Sequence, residues 1–310
     1  MSDPALVLRG WDPLYTRYFP FSTLRSLGYR TRVSAYNGSD ALGARREPLD
    51  VRLSLFAADG TALLRAAPCA VIEPGEYWML DDVETFADGH GLRTGSAETE
   101  LVGVLHQTPL SQRDAAAARG GVIDATVGEI APWLSFADDF VEYFDDRTGG
   151  TGGVFYYGPF LNDTRLAPTW STVVQSPKAL FDDHLEPGLL LVNVASDPRH
   201  DRSAVMDIAL FGMAGERIGQ GGAVVPAFAS RLVRLRGLLA DGAYKGGATV
   251  LAVSTTATVI PCTLVHDRRS MALAIDHTFP PANYHSAWGQ KKKRATWATE
   301  VREKLVAAGA

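Results

Sequence analysis

The sequence predicts an all-β protein of two tandem antiparallel β-sandwich domains, jelly-roll-like in topology, with short peripheral helices. Its 310 residues suffice for two domains of roughly 150 residues each. Its 30 glycines and 17 prolines indicate many turns. The third observation is a repeat. Residues 51–74 and 205–226 both run through an apolar strand to Leu-Phe, reach a glycine after three residues, and continue as an apolar run ending in Pro.

The repeat extends outward in the same order along the chain, at a spacing of about 155 residues through its centre. The matched positions are Phe56 with Phe211, Gly60 with Gly215, Pro74 with Pro226, His106 with His266, residues 18–21 with 157–160, and residues 37–40 with 193–197. Residues 162–178 have no counterpart and are interpreted as an insertion. A domain-sized period predicts tandem domains, which we place at 14–147 and 154–287, with a helical tail at 288–310.

Each copy has the pattern of β-structure. Residues 51–57, VRLSLFA, alternate so that Val51, Leu53 and Leu55 share one face. The turns at 57–60 and 212–215 end in glycine, as hairpins do where a positive φ is needed. Residues 248–266 are rich in Val, Thr and Ile, which favour strands.

Helices are predicted only at the margins of the two copies. Residues 111–119 and 131–144 each match a short helix. In the second helix the side chains that share one face are Phe136, Phe140, Tyr143 and Phe144. The acidic side chains predicted to face water are Asp138, Asp139, Glu142, Asp145 and Asp146.

Two further segments complete the organisation. The glycine-rich residues 147–154 are predicted to be a linker or flexible loop at the boundary between the copies. Residues 295–309 place Trp297, Val301 and Leu305 on one apolar stripe, which predicts a C-terminal helix.

Composition excludes several classes of function. The net charge is −5 and the only basic run is Lys291 to Arg294, so we expect no nucleic-acid binding. No apolar run approaches the roughly 20 residues that span a bilayer, so we expect no membrane insertion. The first residues, MSDPALVLRGWDP, lack the pattern of a secretory signal, and we expect a cytoplasmic protein. Cys69 and Cys262 lie in apolar runs and are predicted to be buried thiols.

Motifs for catalysis are absent from the sequence: it contains no GxSxG elbow, HExxH helix, P-loop or CxxC pair. The best metal candidates are His266, His277 and His285, because three imidazoles with an open position can activate water on a divalent transition metal. Their spacings also suit histidines that only hydrogen-bond loops together, which is the interpretation we favour. We therefore predict no cofactor, with one divalent transition metal as the alternative.

Aromatic residues and acids support a different alternative. Aromatic side chains crowd residues 11–21 and 155–160, and exposed aromatic faces stack on sugar rings. Together with the carboxylates of residues 138–146 they are compatible with a carbohydrate-processing protein. Packing in a core or between domains is the commoner use of such runs.

The second copy resembles the sensory-rhodopsin-transducer-like family of small β-sandwich proteins that form rings of subunits. The likeness covers residues 188–270 and, weakly, 30–108. Its motifs are Asn193, the strand 205–211, Val225-Pro226-Ala227 with Arg231 and Arg234 after it, and His266-Asp267-Arg268. The resemblance implies a sandwich that binds partners or small polar ligands, sugars among them, without catalysis. The ligand-binding residues it implies are His106, His266, Arg231, Arg234 and Arg268.

The leading prediction is a non-catalytic cytosolic binding or scaffold protein that recognises a small polar ligand, a sugar or a protein partner. Tandem copies could also present pseudo-symmetric faces, so the prediction includes a homo-oligomer. The alternatives are a mononuclear metal-dependent enzyme that uses the histidines of the second copy, and a carbohydrate-processing protein.

Overall fold

A computed structural model describes residues 17–37, 48–92, 98–110, 139–154, 171–195, 200–277 and 288–307. Within these residues sixteen strands form four antiparallel four-stranded sheets, accompanied by two α-helices and two short 3-10 turns. The predicted all-β class is confirmed. No helix among the described residues is both long enough and apolar enough to cross a membrane.

The described residues of the first half form eight strands and one α-helix. Their bounds are β1 (Arg17–Ser22), β2 (Arg30–Tyr36), β3 (Leu49–Phe56), β4 (Ala62–Ile72), β5 (Tyr77–Leu80), α1 (Val83–Gly89), β6 (Val102–Pro109), β7 (Phe140–Phe144) and β8 (Thr151–Val154). Asp82 begins α1 because its carboxylate accepts hydrogen bonds from the backbone N–H groups of Glu84 and Thr85.

The described part of the second half also forms eight strands and one α-helix. Their bounds are β9 (Thr172–Phe181), β10 (Leu185–Asn193), β11 (Ala204–Gly212), β12 (Arg217–Val225), β13 (Ala229–Arg234), β14 (Gly246–Ser254), β15 (Ile260–Asp267), β16 (Leu273–His277) and α2 (Trp288–Ala307). The helix α2 packs Ala298, Val301 and Leu305 against Val173 and Val253, whereas Trp297 of the predicted stripe is exposed.

The two halves have the same sheet topology. The first half pairs its strands in the orders β1-β6-β3-β4 and β5-β2-β7-β8. The second half uses β9-β14-β11-β12 and β13-β10-β15-β16, so each strand has its counterpart eight strands further along the chain. Two sheets with equal connectivity in each half form two sandwiches of one design.

Local details repeat together with the topology. Gly60 and Gly215 have φ values of 86° and 85°, and each donates its N–H to the carbonyl three residues earlier. Both glycines therefore hold the left-handed position that the sequence predicts. The side-chain amide of Asn37 donates to Ile72 O at 3.0 Å, and that of Asn193 donates to Val225 O at 2.9 Å. In each sandwich this amide ties the end of one sheet to the other sheet.

One sequence match joins strands that are not equivalent, and one segment interpreted as an insertion has a counterpart. His106 lies on β6, whose counterpart is β14, and His266 lies on β15, whose counterpart is β7. In the strand order β9 takes the place of β1, so residues 172–178 have a counterpart in the first half and are not an insertion. Residues 157–160, matched to 18–21, lie outside the described residues. A match of single histidines carries no information on strand register, which is why the pairing of His106 with His266 was wrong.

The helix predicted for residues 131–144 is wrong at its C-terminal end. Residues 140–144 form β7, in which Val141 and Tyr143 are buried while Phe140, Glu142 and Phe144 point to the other side. An alternation of period two, not a helical stripe, explains this burial. The remaining residues 131–138, and the helix predicted at 111–119, lie outside the described residues. Residues 151–154, predicted to be part of a linker, form β8 and pair with β7 within the first sandwich.

The two sandwiches share a buried interface. Apolar side chains of both halves belong to one continuous core cluster. Across the interface Ser22 Oγ lies 2.7 Å from Ser230 Oγ, and the rings of Phe56 and Phe228 stack with centroids 4.9 Å apart. A second cluster fills the interior of the second sandwich.

Candidate functional site

The outer surface of the sheet β5-β2-β7-β8 carries large apolar side chains that remain in contact with solvent. Tyr77, Met79 and Phe140 are 63%, 51% and 38% exposed. The side chains of this surface, hereafter the open face, are Arg30, Arg32, Ser34, Tyr36, Tyr77, Met79, Phe140, Glu142, Phe144 and Thr151.

Strand register brings these residues onto one side of the sheet. Tyr36 lies opposite Tyr77, and Ser34 lies between Met79 and Phe140. Further along, Arg32 lies opposite Glu142, and Arg30 opposite Phe144. Because side chains alternate along a strand, the residues between these positions point inward, where Val33 and Val141 are fully buried.

One end of the open face is aromatic. The rings of Tyr36 and Tyr77 stack with centroids 4.6 Å apart and planes 22° from parallel. Phe140 lies across Gly153, where a Cβ atom would come within 2.3 Å of the Phe140 ring. Because residue 153 has no side chain, the Phe140 ring can lie close to β8, and this end of the open face carries three aromatic rings.

The other end of the open face is charged and internally paired. Arg32 donates to Glu142 at 2.8 Å, and Arg30 pairs with both Asp82 and Asp146. The guanidinium groups of Arg30 and Arg32 also lie over the ring of Phe144, 5.6 and 4.9 Å from its centroid. Ion pairs and cation–π contacts together hold these side chains in place before any ligand arrives.

The equivalent face of the second sandwich is covered. When Asn37 is aligned with Asn193, the positions of Ser34, Tyr36, Phe140, Glu142 and Phe144 correspond to those of Leu190, Val192, Cys262, Leu264 and His266. All five residues of the second set are buried, and the four other than His266 belong to the core cluster shared with the first sandwich.

His266, one of the predicted ligand-binding residues, is part of this covered face. Its Nδ1 lies 2.8 Å from the hydroxyl of Tyr29, which donates its single hydrogen to Met271 O at 2.8 Å. His266 must therefore donate Nδ1–H to the Tyr29 oxygen. Burial lowers the pKa of His266 and raises that of Tyr29, so both side chains are neutral and join the two sandwiches.

The predicted arginines do not form one patch. Arg234 approaches Glu186 at 3.6 Å and donates to Ser26 O at 3.2 Å, beside the His266 contact. Arg231 is three residues earlier on β13 and therefore lies on the opposite side of that strand. Arg268 donates to Asp183 O. The structure thus brings His266 and Arg234 to one interface and leaves Arg231 apart from them.

His106 belongs to the first sandwich and is buried. Its Nε2 lies 3.0 Å from Ser54 Oγ, and this oxygen also accepts a hydrogen bond from the N–H of Ala66. Burial, assisted by the nearby Arg52, lowers the pKa of His106 to about 3. The imidazole is neutral and inaccessible.

The three predicted metal ligands differ in their placement. His266 lies opposite Leu273, whereas His277 lies opposite Cys262. The two imidazoles are therefore offset by four residues along β15, about 13 Å at the strand rise. His285 lies outside the described residues. Within the described ranges no group of three or more His, Cys, Asp or Glu residues is arranged to hold a metal ion.

The open face was not predicted from the sequence. Phe140, Glu142 and Phe144 were placed on a helix, with Glu142 also among the carboxylates of the carbohydrate-processing alternative. Arg30, Arg32, Tyr36 and Tyr77 were not singled out. The period-two alternation of residues 140–144 could have indicated a strand. No local pattern indicates the pairing of β2 with β5 and β7, because it joins residues more than 40 positions apart.

No protein-family model matches the chain, and the search of curated proteins gave no match. Among solved structures, a β-glucuronidase from glycoside hydrolase family 2 is 9% identical over 84% of this chain, at a TM-score of 0.18. A family 2 member from Bacteroides cellulosilyticus is 7% identical over 84% of this chain, at 0.19. Lactobacillus rhamnosus β-glucuronidase is 11% identical over 89% of this chain, at 0.18.

This chain spans only 23%, 26% and 37% of the lengths of those three chains. At such TM-scores the likeness carries no argument about activity or substrate. The case for a function therefore depends on the open face itself.

Proposed function

We propose that this protein is a non-catalytic binding protein that holds a carbohydrate on its open face. The observation that carries the proposal is the contrast between two equivalent surfaces. On the second sandwich the surface is aliphatic and closed by the first sandwich. On the first sandwich it is aromatic, charged and exposed.

The chemistry of the open face suits a sugar ring. The stacked pair of Tyr36 and Tyr77 and the ring of Phe140 offer apolar surface for the C–H groups of pyranose rings. The neighbouring Arg32–Glu142 pair offers donors and acceptors for hydroxyl groups. A sugar presents both kinds of surface at once, whereas a purely apolar ligand would leave the charged end unused.

The arrangement also favours binding over catalysis. The carboxylate of Glu142 already accepts hydrogen bonds from Arg32 and from Thr151 Oγ1, at 2.8 and 3.1 Å. An ion-paired carboxylate on an open sheet lacks the enclosed, water-excluding surroundings in which general acids are tuned.

The test is a screen of the full chain on a glycan array, followed by calorimetric titration of the best ligand. We expect Tyr77→Ala to weaken that ligand at least tenfold, because it removes half of the stacked pair. Trp297→Ala, which removes another exposed aromatic from α2, should leave the affinity unchanged. Absence of glycan binding, or equal affinity in Tyr77→Ala, would overturn the proposal.

A further inference from the structure

We infer, on the basis of the proposed function, that the open face takes a linear, uncharged oligosaccharide and discriminates against acidic sugars. Three features of the face carry this inference: its length, its polarity from end to end, and the way its charges are already satisfied.

The first feature is the length of the face. It follows β2 from Tyr36 to Arg30, which is about 20 Å at the rise of a strand and matches about four hexose units in an extended chain. All side chains along this path point to the same side of the sheet. A single sugar would contact only one end, so affinity should grow as the chain lengthens to fill the path.

The second feature is the change of chemistry along the path. Stacked tyrosines stand at one end and paired arginines at the other, with Ser34, Met79 and Phe140 between them. Rings laid over the tyrosines gain apolar contact, while rings near Arg32 and Glu142 gain hydrogen bonds. A linear chain is the shape that reaches both ends.

The third feature is the charge balance at the polar end. Arg30 is paired with Asp82 and Asp146, and Arg32 with Asp81 and Glu142. Two guanidinium groups are thus surrounded by four carboxylates. An incoming uronate or sulfate would have to displace one of these partners and would meet a surplus of negative charge. Neutral hydroxyl groups can use the same atoms without breaking any pair.

The arginines of the second copy that were predicted to bind a ligand are not part of the open face. Arg234 donates to Ser26 O and approaches Glu186, and Arg268 donates to Asp183 O. The basic groups that do border an accessible aromatic surface are Arg30 and Arg32, and both are already neutralised.

The experiment titrates the full chain with two series of soluble glycans. One series is neutral and linear, the cello-, xylo-, manno- and laminari-oligosaccharides from two to six units. The other is oligogalacturonate of the same lengths. We expect affinity to rise with length and level off near four units, and the acidic tetramer to bind at least tenfold more weakly than the best neutral tetramer.

A charge variant tests the cause of the discrimination. The double change Asp81→Asn and Asp146→Asn removes two exposed carboxylates beside the arginines. It should reduce the difference in affinity, hereafter the gap, between neutral and acidic ligands. Glu303→Gln, an exposed acid on α2, should leave the gap unchanged. An unchanged gap in the double variant would contradict the charge argument.

Failures of the two proposals are distinguishable. If no glycan of either series binds, the proposed function is wrong and this inference falls with it. If glycans bind but the acidic tetramer is equal or preferred, or affinity is independent of length, the proposed function stands and this inference is overturned.

Discussion

The outer face of β5-β2-β7-β8 and the outer face of β13-β10-β15-β16 have the same place in the same topology but opposite surroundings. The second is built from Leu190, Val192, Cys262 and Leu264 and is buried against the first sandwich. The first has Ser34, Tyr36, Phe140 and Glu142 at the equivalent positions, where Phe140 is exposed and the other three are half-buried. One framework thus supports either an internal interface or an open surface, and the side chains that alternate outward decide which.

The largest expected effect comes from exchanging equivalent residues between the two faces. Leu190→Ser should lower the free energy of unfolding by about 4 kcal/mol, because it leaves a cavity and a buried hydroxyl at the interface. The reciprocal Ser34→Leu should change it by less than about 1 kcal/mol, because the position borders solvent. Urea unfolding of both variants measures the difference. Equal losses of stability would contradict the claim that one face is buried and the other borders solvent.

The two glycine turns give the next largest contrast. A Cβ atom at Gly60 would lie 2.0 Å from Ala227 O, whereas nothing lies within 4 Å of the same position at Gly215. Both alanine variants adopt an unfavourable positive φ, which costs about 1 kcal/mol. Gly60→Ala must also push the sandwiches apart, and we expect it to cost about 3 kcal/mol in total.

Thermal unfolding of the two glycine variants is sufficient to check this. A melting temperature for Gly60→Ala no lower than that for Gly215→Ala would show that the turn does not bear on the interface.

The buried His106 should make stability depend on pH. Its pKa is about 3 in the folded protein, against about 6.5 when unfolded, so only the unfolded chain takes up a proton between these values. The free energy of unfolding is therefore unaffected by His106 above about pH 6.5, and it decreases as the pH falls below that value. The loss between pH 7 and pH 5 should be about 2 kcal/mol.

His106→Gln removes the imidazole that takes up this proton in the unfolded chain. Its unfolding free energy should therefore fall less between pH 7 and pH 5 than that of the unmodified chain, measured in urea at each pH. Parallel pH profiles of the two proteins would contradict the assigned burial.

The smallest effect on stability is expected on the open face. Tyr77→Ala should change the unfolding free energy by less than about 0.5 kcal/mol, because 63% of the side chain is already exposed. The same variant is expected to bind its glycan ligand at least tenfold more weakly. A large loss of stability would mean that the tyrosine pair supports the sheet and would remove the reason to assign it to binding.

Some features of the fold could be predicted from the sequence because they depend on a single residue type. A positive φ favours glycine, and Gly60 and Gly215 therefore mark the same turn in both halves. Asn37 and Asn193 each donate a side-chain hydrogen bond to an equivalent backbone carbonyl in their own half, and this bond needs a short amide. Such requirements leave a local signature that pattern matching can detect.

Other features depend on which strands become neighbours. Residues 140–144 place aromatic side chains at spacings that fit a helix, and only pairing with β2 selects the strand. His106 and His266 look alike in sequence but lie on strands with different neighbours. The open face is assembled from β2, β5 and β7, and no short segment contains its pattern.

The claim that the open face is the binding surface can be tested directly by hydrogen–deuterium exchange, with and without a saturating neutral tetrasaccharide. We predict slower exchange in β2, β5, β7 and β8, and unchanged exchange in the equivalent strands β10, β13, β15 and β16. Protection confined to the second sandwich, or no protection in the first despite measured binding, would contradict the account.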